Sequence, residues 1–215
     1  MAIKENSSAT ANPQEKPILF SAPMVRAILE GRKTQTRRIF KGMIPPECAG
    51  IHSCAVDDGI AKFHLNGQIA MHEGEWTKTP YGKPGDRLWV RETWAQVGTQ
   101  GTLSGYVRYK ADEQKAVGAY GSQKWRPSIF MPRSASRITL EITGVRVERL
   151  QEITEADAIA EGVFPCDAPA CVDEHHPGRH QCAFEDLWDV INGELASWTS
   201  NPWVWVVSFK RLEGK

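Results

Sequence analysis

The feature that most restricts the fold is the stretch Arg137 to Leu150, where Ile138, Leu140 and Ile142 alternate with Thr139, Glu141 and Thr143. A period of two puts apolar side chains on one face of a strand and polar ones on the other, so this segment predicts a long strand. Gly144 interrupts the pattern before Val145 and Val147 resume it, which marks a bend. A closed or strongly curved sheet needs such bends. Near the other end, Trp203 to Phe209 is an almost unbroken apolar run behind the turn pair Asn201-Pro202. A run of that kind suits a strand at the centre of a sheet, covered on both faces.

Shorter signals fill in the rest. Thr34, Thr36 and Ile39 alternate with polar neighbours, Arg87 to Thr93 sets Leu88 and Val90 against Trp89 and Arg91, and Gly105 to Lys110 reads as a further strand. The run Tyr81 to Asp86 is a turn. Ser21 caps a helix carrying Met24, Ala27 and Ile28 that stops at Gly31; Thr154 caps another through Ala160, with Asp157 in its first turn and Gly162 at its end. Phe184 to Ile191 is a third helix. Strands outnumber helices and are separated mostly by irregular loops, so the expected class is α+β: a small β-barrel of mixed sheet with packed helices, in preference to a doubly wound α/β fold. Two irregular insertions, at about 42–80 and 164–182, interrupt a single domain over 17–215, and residues 1–16 read as a disordered polar tail.

A chain of 215 residues, 41% apolar and 24% charged, is the size of one decorated domain. No stretch approaches the roughly 18 apolar residues of a membrane span, and the first sixteen residues carry no apolar signal core. The expectation is a cytoplasmic protein with no membrane partner. Five unevenly spaced cysteines suit reduced thiols or a metal better than a disulfide framework.

Formal net charge is zero, yet the charges are segregated. Arg26 to Lys41 holds six cations against Glu30 alone, and Lys124 to Arg137 adds four with no acid, whereas Glu148 to Glu194 holds twelve acids against Arg149 and Arg179. Such a molecule presents a basic and an acidic face, which favours a compact anionic or nucleotide ligand over a long duplex. The densest point is Gly31 to Arg38, with four cations and two threonines in eight residues. Without further context such a run is a solvated face.

The segment Ile28 to Arg38, with Gly85-Asp86 opening a strand, a helix after a long strand, and an apolar strand ending Phe209-Lys210-Arg211-Leu212, resembles the ASCH domain family, whose fold is a PUA-like β-barrel. The whole chain resembles, more narrowly, the long ASCH proteins encoded by tailed phages and prophages. The resemblance covers roughly residues 17–41, 81–92, 137–163 and 202–212 and implies a cleft that holds a nucleobase or modified nucleoside. Small bacterial members hydrolyse the amide of N(4)-acetylcytidine with a lysine and a threonine of this motif and a glutamate from the helix after the long strand. The resemblance places these roles on Lys33, Thr36 and Glu161, with Arg38 as the motif arginine; Arg37 stands where small hydrolytic members carry an aliphatic residue.

The chemistry of that trio is coherent. A threonine hydroxyl needs a base to become a nucleophile, and a lysine serves if burial and neighbouring cations lower its pKa. The glutamate either passes the proton to the leaving amine or binds the base edge. Strict alternation would set Lys33 and Thr36 on opposite faces of a strand, so one shared pocket requires a bend. Substrate-facing candidates are Arg32, Arg37, Arg38 and Arg133, with Trp94 and Trp125 as stacking surfaces and Glu92 lining the cleft or pairing with Arg38. The chemistry calls for no cofactor. Cys166, Cys171, His180 and Cys182, with His175 and His176 between them, have a composition able to close a structural zinc site, and Cys48, His52 and Cys54 echo it weakly. The expected partner is RNA or a modified nucleoside. Two rival readings stand beside the amidohydrolase: a non-catalytic reader of RNA or modified bases, and an ASCH-type ribonuclease, the latter disfavoured because no histidine pair adjoins the basic motif.

Overall fold

A computed structural model describes residues 13–42, 53–62, 64–65, 68–69, 77–97, 106–115, 124–168 and 178–213. In chain order its elements are β1 (Glu15–Leu19), α1 (Ala22–Leu29), β2 (Gln35–Ile39), β3 (Ser53–Asp57), β4 (Ile60–Lys62), β5 (His64–Leu65), β6 (Gln68–Ile69), β7 (Thr77–Lys78), β8 (Arg87–Arg91), β9 (Trp94–Val97), β10 (Tyr106–Tyr109), β11 (Thr139–Arg149), α2 (Glu155–Ala160), α3 (Arg179–Asn192) and β12 (Trp203–Leu212).

The long alternating segment is β11, and it organises the molecule. Along one edge it runs antiparallel to β12, with the register slipping between Ile142 and Gly144, so the expected bend is a β-bulge. Along the other edge its first half pairs with β8 and its second half, at Val147 and Glu148, with β3. The bulge reverses the phase of alternation: Leu140 and Ile142 are buried before it, Val147 after it. Arg146 and Glu148 therefore share the face that carries the polar network described below.

Beyond β8 lies β1, joined in parallel, and beyond β12 lies β2, which gives the order β1-β8-β11-β12-β2 with β3-β4-β7 branching from β11. The class is α+β with a mixed sheet, as the pattern predicts. The barrel is not. Among the described residues β1, β2 and β7 each have one strand neighbour, so the sheet stays open. Three further boundaries differ from expectation. The stretch read as an unstructured insertion from residue 42 contributes β3, β4 and β7 to the sheet; β1 starts at Glu15, inside the expected tail; and α3 starts at Arg179, inside the second expected insertion. Short strands and a polar helical first turn give too few residues for a period to register.

Three of the four apolar clusters among the described residues cover this sheet, and the fourth gathers Trp94, Met131 and Ala135. Ile18, Phe20, Val25, Ile28, Leu140 and Phe209 pack under α1; Phe40, Val147, Trp203 and Trp205 pack near β3; Leu150, Ala158, Phe184, Trp188, Val204 and Val206 pack under α2 and α3. The unbroken apolar run of β12 is thereby explained, since Trp205 and Val206 enter different clusters on opposite faces. No helix among the described residues is long and apolar enough to cross a membrane.

Candidate functional site

Gly31 has φ of +76°, a conformation open to glycine, and it turns the chain out of α1. The residues after it are then zipped to the end of α2. The Arg32 guanidinium donates to the Gly162 carbonyl at 2.6 Å, the Lys33 ammonium to the Glu161 carbonyl at 2.8 Å, and the Thr34 amide to the Ala160 carbonyl at 2.8 Å. Gly162, with φ of +80°, sits so close that a Cβ there would lie 2.8 Å from the Lys33 Cβ. α2 itself is fixed by a capping box between Thr154 and Asp157.

Lys33 precedes β2, so the alternation that would separate it from Thr36 does not apply. Its ammonium donates to Glu161 Oε2 at 2.7 Å, and both side chains are almost wholly buried. Burial pushes the Lys33 pKa down, further helped by Arg38 and Arg37, and this outweighs the upward pull of Glu161. Thr36 is 1% exposed and lines a narrow cavity of ≈ 30 Å³ together with Glu161, Arg38 and the α3 residues Leu187 and Ile191. Among the described residues none hydrogen-bonds its hydroxyl, so the oxygen remains available to a ligand.

Around this core runs an ion network, buried at Arg37, Glu148 and Glu161 and half-exposed at Arg146 and Asp157. Arg37 bonds Glu148 at 2.6 Å and reaches Asp157 and Glu161 at 3.3 Å each; Arg146 bonds Glu148 at 2.6 Å and Asp157 at 3.0 Å. Three cations, Lys33, Arg37 and Arg146, meet three acids, Glu148, Asp157 and Glu161. Burial alone would raise the Asp157 pKa, but the Gln35 amide, Arg37 and the Thr154 backbone and hydroxyl hold it at about 2. Arg37 is thus held by three carboxylates, while it also lines the narrow cavity. The sequence marks neither Glu148 nor Arg146 as a site residue, and Asp157 reads there only as a first-turn acid; an Arg-x-Glu pair on a strand and an acid at the third position of a helix are ordinary surface patterns until the fold brings them together.

The narrow cavity is flanked by two larger ones, Met24 lining all three. A cavity of ≈ 520 Å³ carries Phe20, Arg38, Tyr81 and Ser128. A second, of ≈ 290 Å³, is lined by Arg32, Glu161, Phe164 and Leu187. Arg38 lies 5.2 Å over the Phe20 ring and donates to the Leu19 carbonyl at 2.8 Å. Arg32 pairs with Glu30 at 2.6 Å and lies 4.1 Å over Phe164.

The remaining candidates sit elsewhere. Glu92 pairs with Arg137 at 2.9 Å rather than with Arg38, and burial raises its pKa against the pull of that arginine. Trp94 is buried beside Met131 and Ala135 with Arg126 over its ring, so it offers no open stacking face. Trp125 lies under Lys110, and Arg133 pairs with Glu15 at 3.0 Å; neither lines the three cavities. Of the zinc candidates, Cys166 accepts from Arg179 through its carbonyl, His180 Nδ1 lies 2.7 Å from Glu155, and Cys182 is half-buried in α3. Cys171, His175, His176, Cys48 and His52 fall outside the described residues. Among the described residues no three His, Cys, Asp or Glu side chains are grouped to hold a metal.

No protein-family model matches the chain, and no curated protein or solved structure matches it.

Proposed function

We propose that the protein is an ASCH-type, PUA-like module, with the barrel opened, that binds a pyrimidine nucleoside and hydrolyses the amide of an N-acylated cytidine. The observation that carries this reading is that Glu161, which holds the buried, pKa-depressed Lys33 ammonium at 2.7 Å, lines the same narrow cavity as Thr36. The 520 Å³ cavity falls within the roughly 300–1,000 Å³ of ordinary ligand pockets and takes the base; the acylated amine reaches into the neck beneath α3.

In this mechanism neutral Lys33 takes the Thr36 proton as the oxygen attacks the acyl carbon. The C–N bond breaks, the leaving exocyclic amine receives a proton relayed through Lys33 and Glu161, and the acyl group rests on Thr36 as an ester. Water then adds to that ester and releases the carboxylic acid, so one water is consumed for each cytidine formed. The test is incubation of the purified protein with acetylated and unacetylated cytidine and with RNA, all products followed by mass spectrometry, beside Lys33→Ala and Thr36→Val. Conversion of acetylcytidine to cytidine and acetate, lost in both variants, is the expected result. Absence of turnover with tight nucleoside binding selects the non-catalytic reader, a role favoured by the double engagement of Lys33 with Glu161. Cleavage of unmodified RNA that vanishes with Lys33→Ala selects the ribonuclease; among the described residues no histidine lines these three cavities.

A further inference from the structure

The four cations between Arg32 and Arg38 are not equivalent. Arg32 is neutralised by Glu30, Lys33 by Glu161, and Arg37 by Glu148, Asp157 and Glu161. Arg38 alone meets no carboxylate among the described residues; its guanidinium donates to a backbone carbonyl and faces the Phe20 ring. It also lines the largest of the three cavities, where it is the only charged residue among the described ones.

The rest of that lining suits an anion. Ser21, Tyr81, Thr93 and Ser128 bring hydroxyls, and no acid is present among the described lining residues. Ser21 is the N-cap of α1, its side chain makes no capping bond, and the first turn of the helix contains no acid that would offset its positive end. An uncompensated guanidinium walled by hydroxyl donors in a half-enclosed space binds phosphate more strongly than it binds a neutral sugar.

We infer that the 520 Å³ cavity holds, beside the space taken by the base, a phosphate subsite built on Arg38, so that the ligand is a phosphorylated cytidine, as mononucleotide or within a strand, rather than the free nucleoside. This rests on the preceding reading for the nature of the base, but its test does not require turnover. Isothermal titration at low salt with cytidine, cytidine 5′-monophosphate and a short single-stranded cytidine-containing RNA gives the affinities directly. The expected result is that the monophosphate, the RNA or both bind at least about tenfold tighter than cytidine, with the advantage shrinking as salt rises. Which of the two binds identifies the source of the phosphate.

Arg38→Gln is expected to bring the ratio of phosphorylated to free cytidine affinity to about one, and Arg38→Lys to retain part of it. Thermal melts of both variants establish that they are folded. Equal binding of cytidine and its phosphorylated forms overturns the inference, as does a preference that survives in Arg38→Gln or the absence of binding by any of the three. Failure of the amidohydrolase reading is distinct: it shows as no deacylation of any acylcytidine while the phosphate preference persists.

Discussion

Thr36 and Lys33 separate chemistry from stability at the residue scale. The Thr36 hydroxyl makes no hydrogen bond among the described residues, so Thr36→Val removes the proposed nucleophile at a cost of less than about 1 kcal/mol in urea denaturation. Loss of turnover with stability intact is the expected outcome, and full retained turnover would remove Thr36 from the mechanism. Lys33→Ala behaves differently. It leaves the Glu161 carboxylate buried with Arg37 as a distant partner at 3.3 Å, and truncating one side of a buried pair costs about 3 kcal/mol or more. The same lysine sets the pH profile: because burial lowers its pKa, kcat/KM of the proposed hydrolysis rises with pH and reaches its plateau with a midpoint below the ordinary 10.5. A rate independent of pH through that range would show that Lys33 is not the base.

At the scale of elements, α2 is the part most exposed to acid. Asp157 has a pKa of about 2 against an ordinary 3.8, so its folded-state pKa is depressed. Its contribution is complete above the unfolded value and is lost as pH falls from about 4 through 2. It amounts to about 2 kcal/mol, read from chemical denaturation at pH 6 and pH 2. Asp157→Asn should remove most of that pH dependence and weaken the capping box with it. The two turn glycines make a paired test. Gly31→Ala meets no atom within 4 Å and costs only the strained φ, about 1 kcal/mol, whereas Gly162→Ala adds a clash with Lys33 and Ala27 and should cost about 2 kcal/mol more while displacing Lys33 from Glu161. Equal losses for the two would mean that the close approach of α2 to the motif is relaxed in solution.

The whole molecule hangs on one strand. β11 contributes Leu140 and Ile142 to the cluster under α1 and Val147 to the cluster near β3, and Leu150, just past its end, belongs to the cluster under α2 and α3. None of these three clusters can melt without exposing the strand they share or its end, so tryptophan fluorescence and far-ultraviolet circular dichroism should report a single coincident transition. Leu140→Ala, at a fully buried position between β8 and β12, should lower stability by about 3 kcal/mol without splitting that transition. Two separated transitions would show that the clusters fold independently.

The alternation of Ile138, Leu140 and Ile142, the interruption at Gly144 and the two-sided apolar run of Trp203 to Phe209 were enough to place both long strands, because periodicity and backbone freedom are local properties. The cap at Thr154 and the stop at Gly162 were legible for the same reason. Whether the sheet closes depends on which strand edges meet, and that is set by contacts far apart in sequence; the open order of strands came only from the tertiary structure. So did the sorting of the basic motif. In the sequence Arg32, Lys33, Arg37 and Arg38 are one run of charge, and only folding brings Glu148, Asp157 and Glu161 against two of them and leaves Arg38 facing a cavity. A local pattern fixes which face a side chain takes, but the partners that neutralise Lys33 and Arg37 are supplied by chain more than a hundred residues away.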